Sequence, residues 1–136
     1  MHALTFMYPT APGETFNFEH YYKTHLPLGV GLARKHLEIL NKKMVIQTVR
    51  GPENGGLEAP YYVLCHVLLE TREEADRLAS LFQIDEPRRR LSEDWPKYTP
   101  VPPVAMLSEW TVLEDMEGLN ERFLTELEPL EEAAAR

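Results

Sequence analysis

The segment YYVLCHVLL, residues 61–69, constrains the fold more than any other stretch of the chain. Its length and its β-branched and aromatic content read as a strand. Tyr61, Val63, Cys65, Val67 and Leu69 would line one face, and Tyr62, Leu64 and Leu68 the other. An antiparallel strand with one wet face alternates apolar and polar residues. This one does not, and neither does VAMLSEW at 104–110. Both faces of the sheet therefore need cover. Helices of the same chain can cover one face, and the simplest cover for the other is the sheet of a second copy related by a two-fold axis. A homodimer whose two sheets close into a barrel-like layer is predicted.

The remaining segments supply the rest of such a fold. ALTFMY (3–8) reads as a strand ended by the turn-forming PTAPGE. A helix over 17–36 follows, with Asn17 as N-cap, Glu19 in the first turn, and Tyr22, Leu26, Val30, Ala33 and Leu37 at three- or four-residue spacing. LEILNKKMVIQTV reads as a long strand open to a break near Asn41, and RGPENGGLEAP as a flexible turn. After the 61–69 strand, Thr71 and Glu74 form a capping box, and Ala75, Leu78, Ala79 and Phe82 mark a second helix that meets Pro87. A helical piece at 88–94 leads into DWPKYTPVPP and a last strand at 104–113. The order strand, helix, strand, strand, helix, strand is the split βαβ pattern of a ferredoxin-like α+β fold, an antiparallel sheet with both helices on one face.

Charge removes several function classes. The 136 residues carry a net charge of −8, of which residues 113–136, with 2 basic and 8 acidic side chains, hold −6. No basic footprint for nucleic acid exists, since PRRR at 87–90 is flanked by Asp85, Glu86, Glu93 and Asp94 and reads as a solvated helix face. No run approaches the roughly 20 apolar residues of a membrane span, and MHALTFMYPT lacks a basic segment followed by an apolar signal core. A soluble, cytoplasmic chain is expected, with a domain over 1–112 and an acidic C-terminal helical extension over 113–136. In that extension Leu119, Phe123, Leu127 and Leu130 keep helical spacing despite Pro129. The expectation is a short amphipathic helix packed on the body or on the partner subunit, with EEAAAR frayed; the alternative is a disordered acidic tail.

The first helix carries the chemistry. YYKTHLPL (21–28) places a proline inside a helical pattern, where it deletes a hydrogen bond and presses on the carbonyl of Lys23 at a cost of about 3 kcal/mol. Phe18, Tyr22, His25 and Gly29 fall in one stripe at the edge of the apolar face. Gly29 leaves a gap one turn beyond His25, and gap, polar tip and distortion together suit a small-molecule pocket. His25 could move a proton there near neutral pH. The spacing equally suits a histidine that donates to a carbonyl freed by Pro27.

His66, on the side of Tyr62, Leu64 and Leu68, reads first as a hydrogen-bonded structural residue and second as a ligand contact. His2, His20 and His36 show no ligand spacing with one another or with His25, and no structural metal is expected. Cys65, the single cysteine, reads as a small buried residue. There is no Gly-rich phosphate loop and no nucleophile elbow, and no cofactor is expected.

Three segments, FMYP, FNFEHYYKTHLPL and DWPKYTPVPPVAMLSEW, resemble the EthD-domain family, named for ethyl tert-butyl ether degradation, over about residues 3–112. The resemblance implies a dimeric alpha+beta barrel. It matches Tyr21, Tyr22, His25 and Pro27 in the helix motif and Asp94, Pro96, Tyr98 and Thr99 in the later one. The chain departs from the family pattern at GVGLARKHL, where two glycines loosen the helix end. Related barrels include cofactor-independent monooxygenases, cyclases, dehydratases and haem-handling proteins, so fold analogy cannot choose an activity.

On these grounds His25 and Tyr22 are the candidate catalytic residues, and Phe18, Tyr21, Trp95, Tyr98 and His66 the candidate substrate contacts. The expected function is a cofactor-independent, monooxygenase-like or proton-transfer enzyme acting on a small hydrophobic carbonyl or aromatic compound. The alternative is a non-catalytic binding or accessory protein that holds such a ligand for a partner enzyme. Haem binding through His25 or His66 is a third reading.

Overall fold

The computed structural model describes residues 1–40, 43–51 and 59–135. Strands β1 (His2–Pro9), β2 (Lys43–Thr48), β3 (Tyr61–Leu69) and β4 (Val104–Glu109) form one antiparallel sheet in the order β2-β3-β1-β4. The architecture is α+β and ferredoxin-like. β1 sits centrally, pairing Thr5 with His66 on one side and with Met106 on the other. The last strand, Val104–Glu109, is shorter than the 104–113 read from sequence: its partner β1 begins at His2, and the Trp110 N–H donates to the Met1 carbonyl as the last bond of the pairing. The break expected near Asn41, and residues 52–58 of the expected turn, lie outside the described residues.

Helix α1 is composite: an α-helical turn Phe18–His20, a π turn Tyr21–His25, and an α-helix Leu26–Leu37. Asn17 caps it by accepting from the His20 N–H, and the helix stops at Glu38, which takes the left-handed conformation (φ 56°) and donates to the Ala33 and Arg34 carbonyls. Helix α2 (Arg72–Ala79) starts at the Thr71 cap and tightens into the 3-10 turn Ser80–Gln83. Helix α3 (Asp85–Asp94) admits Pro87 in its first turn, where the missing N–H would have had no helical partner. It ends in the 3-10 turn Trp95–Lys97.

The π turn answers the question Pro27 raises. The Leu26 N–H bonds the Tyr21 carbonyl five residues back, so the coil widens by one residue just before the proline ring would press on the preceding turn. The same device recurs at the C-terminus. Helix α4 comprises Met116–Arg122, a π turn Phe123–Leu127 and Glu128–Ala135, with Pro129 two residues past the π turn, as Pro27 is past the first. Helical structure thus runs to Ala135 through residues read from sequence as frayed. Every side chain that α4 carries from Met116 to Ala135 is exposed, including Leu119, Phe123, Leu127 and Leu130.

Pro27→Ala restores a donor and removes the reason for the π turn. The expected outcome is a folded protein whose stability changes by no more than about 1 kcal/mol, with helix 18–37 rewound by one residue and the inward-facing side chains of its first turns displaced. Backbone NMR of the variant should show α-helical connectivity across 21–26; an unaltered π pattern would free Pro27 of any part in it.

The helices cover the face bearing Leu4, Phe6, Tyr8, Cys65 and Val67. The opposite face carries Val45, Val104 and Met106, all exposed, beside Met7, Leu64 and Leu68, which are half-buried. Within that face His66 is held at both nitrogens, 2.9 Å from Thr5 Oγ1 and 3.0 Å from Gln47 Oε1, with the Trp110 ring edge-on at 5.2 Å.

Candidate functional site

The end of the sheet under α1 is filled by rings. Tyr8, Phe16, Tyr21 and Tyr98 are buried and pack on one another at centroid distances of 5.1 to 5.6 Å, mostly edge to face. The Tyr98 hydroxyl donates to the Tyr8 hydroxyl at 3.1 Å, and the Tyr98 carbonyl accepts from the Asn17 N–H, tying the segment after α3 to the start of α1. Burial holds all three phenols neutral: Tyr8 is pushed up to about 12, and Tyr21 and Tyr98 are raised further. Among the described residues the Tyr21 hydroxyl is buried without a hydrogen-bond partner.

On this aromatic floor lie two histidines and one carboxylate. Asp94, the last residue of α3, is 5% exposed and offers its two oxygens to two imidazoles of α1. Oδ2 accepts from His25 Nδ1 at 2.9 Å, and Oδ1 is 2.9 Å from His20 Nε2. Burial raises the Asp94 carboxyl, but the hydrogen bonds from His20 and His25 outweigh it and hold the group below the usual carboxylate range. His25 is likewise held below a free imidazole: burial lowers it, and the opposing pull of Asp94 is the smaller effect. At neutral pH the pair is therefore an ionised carboxylate and a neutral imidazole that donates from Nδ1.

Winding makes this meeting possible. His20 and His25 are five residues apart, which on a regular α-helix points them about 140° away from each other. Across the π turn the fifth residue returns to the same side, and both rings reach one carboxylate. The same turn makes Tyr21 the inward residue, with no exposed surface, and leaves Tyr22 45% exposed.

With Nδ1 occupied, Nε2 is the nitrogen of His25 that has no hydrogen bond among the described residues, and His25 lies in the wall of a cavity of about 70 Å³ between α1, α2, α3 and the sheet. The wall is otherwise nearly all apolar: Leu4, Phe6, Leu26, Val30, Met44, Val67, Leu78, Leu81, Phe82, Leu91 and Trp95, with Tyr8 and Cys65. Burial pushes the Cys65 thiol up to about 11, so it is a neutral wall group and not a thiolate. Among the described residues no cluster of His, Cys, Asp and Glu side chains could hold a metal ion.

Of the residues singled out in the sequence, His25 and Trp95 line this cavity. Tyr21 and Tyr98 lie in the aromatic floor, their rings 5.9 and 4.5 Å from the His25 ring. Tyr22 and Phe18 are both exposed, the Phe18 ring packing on Phe16 at 4.8 Å from the rim of the floor, and His66 is on the opposite face of the sheet with both nitrogens engaged. Asp94 and His20 were not among the site residues read from sequence. Asp94 had a signal, its place in the DWPKYT motif; His20 had none, because the α-helical wheel turns it away from His25.

Gly29 also lines the cavity, and a Cβ built there would meet only Leu91 Cδ2, at 3.9 Å. Gly29→Ala should therefore fit and stabilise the helix by about 0.5–1 kcal/mol. Gly29→Leu should fill the cavity and abolish uptake of any ligand that Gly29→Ala still admits. Thermal melts and binding of a small apolar probe to the two variants check the pair.

No family model matches the sequence, and no curated protein matches it. Among solved structures the chain is similar to an EthD-like protein from Ralstonia eutropha JMP134, with 17% identity and a TM-score of 0.64 over 84% of this chain and 95% of that one. It is also similar to an ethyl tert-butyl ether degradation (EthD) family protein from Bacillus halodurans C-125, with 19% identity and a TM-score of 0.55 over 82% of this chain and 99% of that one. At these identities the likeness is one of fold.

Proposed function

We propose that this chain is an EthD-like protein that binds a small hydrophobic carbonyl or aromatic compound in the cavity under α1 and moves a proton on it with His25. The observation that carries the reading is the 2.9 Å bond from His25 Nδ1 to the buried Asp94 carboxylate, which leaves Nε2 as the acceptor in an apolar wall. A neutral imidazole backed by a carboxylate is the arrangement of a general base: the carboxylate fixes the tautomer and stabilises the imidazolium formed when Nε2 takes a proton. The apolar wall favours a neutral ligand, and at about 70 Å³, less than half of the roughly 150 Å³ apolar cavity that takes benzene, the cavity has to widen to admit a compound of one ring. Proton abstraction serves isomerisation or lyase chemistry directly, and it is the activating step if the compound is then oxygenated.

The test is incubation of the protein in D2O with one-ring ketones and phenols, followed by proton NMR of the compounds. Catalysed exchange of a carbon-bound proton supports the enzyme reading. Binding without exchange across the panel would sink it in favour of the second reading, a carrier for a partner enzyme, which the nearly continuous apolar lining supports.

The working unit in this reading is a homodimer in the cytoplasm, with residues 1–112 as the domain and the acidic α4 as an extension that packs on a partner. The exposed Val45, Val104 and Met106 on the uncovered sheet face support it. Among the described residues no helix is long and apolar enough to cross a membrane. Met106→Glu should convert a dimer to a monomer in analytical ultracentrifugation; a wild-type monomer would remove the sheet-to-sheet closure.

A further inference from the structure

Resting on the reading of His25 as the proton acceptor of the cavity, we propose that His20 is a positioning residue that shares Asp94 with His25 and so keeps His25 a neutral acceptor as the pH falls. The two imidazoles divide one carboxylate evenly, one oxygen each at 2.9 Å. They differ in access to water. The His20 side chain is 22% exposed and that of His25 9%, so His20 is the one of the two that opens to water. Once charged, His20 forms an ion pair with Asp94 and cancels much of the negative charge that would otherwise favour a proton on His25. Its own charge adds repulsion across the shared carboxylate. One carboxylate joins the two imidazoles, so a charge on either is felt by the other.

No other neighbour supplies this behaviour. Lys97, whose Nζ lies 3.9 Å from Asp94 Oδ1, lines the hollow on the solvent side of Asp94 with Arg90 and Glu93. Beside the His25 ring lie the Tyr21 and Tyr98 phenols, which burial keeps neutral. Tyr8 and Cys65, from the two central strands, complete the surroundings and are likewise held neutral by burial. Histidine is the side chain that changes charge between about pH 5 and 8, so the pair owns that range. The effect of His20 on His25 also has the required sign, working with burial and against Asp94.

A purely mechanical role, in which His20 only ties α1 to α3, predicts a different result. The deciding experiment follows the imidazole resonances of the full-length protein by NMR against pH, in the wild type and in His20→Gln, whose side-chain amide can still donate to Asp94 but carries no charge. We expect a biphasic His25 curve in the wild type, its first step tracking His20. In His20→Gln the His25 curve should become single-step with its midpoint at higher pH. A single-step wild-type curve, or a His25 midpoint that stays put or falls in His20→Gln, overturns the proposal. If the variant does not fold, the wild-type curve alone decides. None of these readouts needs a substrate, so a protein that proves to be a carrier would show no turnover with the titrations unchanged.

Discussion

Asp94→Ala should be the most destabilising single substitution at the site, by about 2–3 kcal/mol, which for a chain of this size lowers Tm by roughly 10 °C. The loss falls mainly on His25, whose Nδ1–H would be left buried without an acceptor, since His20 can turn to water. Asp94→Asn separates packing from charge. It keeps the side-chain volume and one acceptor oxygen, so the loss of stability should be smaller, about 1 kcal/mol. His25 should then titrate at lower pH than in the wild type, because the group that pulls its proton affinity upward is gone.

Acid should act on the folded protein in two windows. His25 is depressed in the folded state, so below its ordinary value of 6.5 the unfolded chain binds the proton first and stability falls as the pH drops. Asp94 is also depressed, and its contribution, complete above the ordinary 3.8, disappears as the pH falls through its lower folded value. Urea midpoints of the wild type between pH 7 and 3 should decline in both ranges, and the second decline should be smaller in Asp94→Asn, where Glu86, held below its ordinary range by Lys35, still contributes.

The largest effect on chemistry is expected at His25. His25→Gln can still offer an amide N–H to Asp94, so the fold should survive with Tm within a few degrees. Turnover of any compound found to exchange protons should drop by about 10²- to 10⁴-fold, the usual contribution of a positioned general base. Rate constants at saturating and limiting substrate should fall together. A variant that keeps its rate would move the proton acceptor away from His25, and one with a less than tenfold change in affinity and no rate to lose would be a carrier.

Much of the architecture was legible in the chain because strands and caps are local signals. YYVLCHVLL emerged as β3 at 61–69, the Thr71 cap starts α2, and the lack of alternation has its counterpart in the exposed Val104 and Met106. The candidate site was half legible. His25 stood out because a histidine beside a glycine gap and a proline is unusual, and Trp95 came with the DWPKYT motif. Tyr22 was read as inward and Tyr21 was given no inward place on the wheel, because that wheel assumes 3.6 residues per turn throughout. The structure puts Tyr21 inside instead. Asp94 is 69 residues from His25 in the chain, and no periodicity reports such a contact.

The two π turns also say something about how this chain tolerates changes in length. Each one is a residue more than a regular helix would need, placed where a proline leaves no other relaxed winding. Deleting Thr24 together with Pro27→Ala would take that residue out again and leave His20 and His25 four residues apart on a regular helix, still on one side of the axis and both able to face Asp94. Pro27→Ala alone, which rewinds the helix with every residue still present, would set the two histidines about 140° apart, so their pairing would be lost to an edit that touches neither. The extra residue and Pro27 are therefore a matched pair: removing either one alone disturbs the site, and removing both restores a regular helix with the histidines still together.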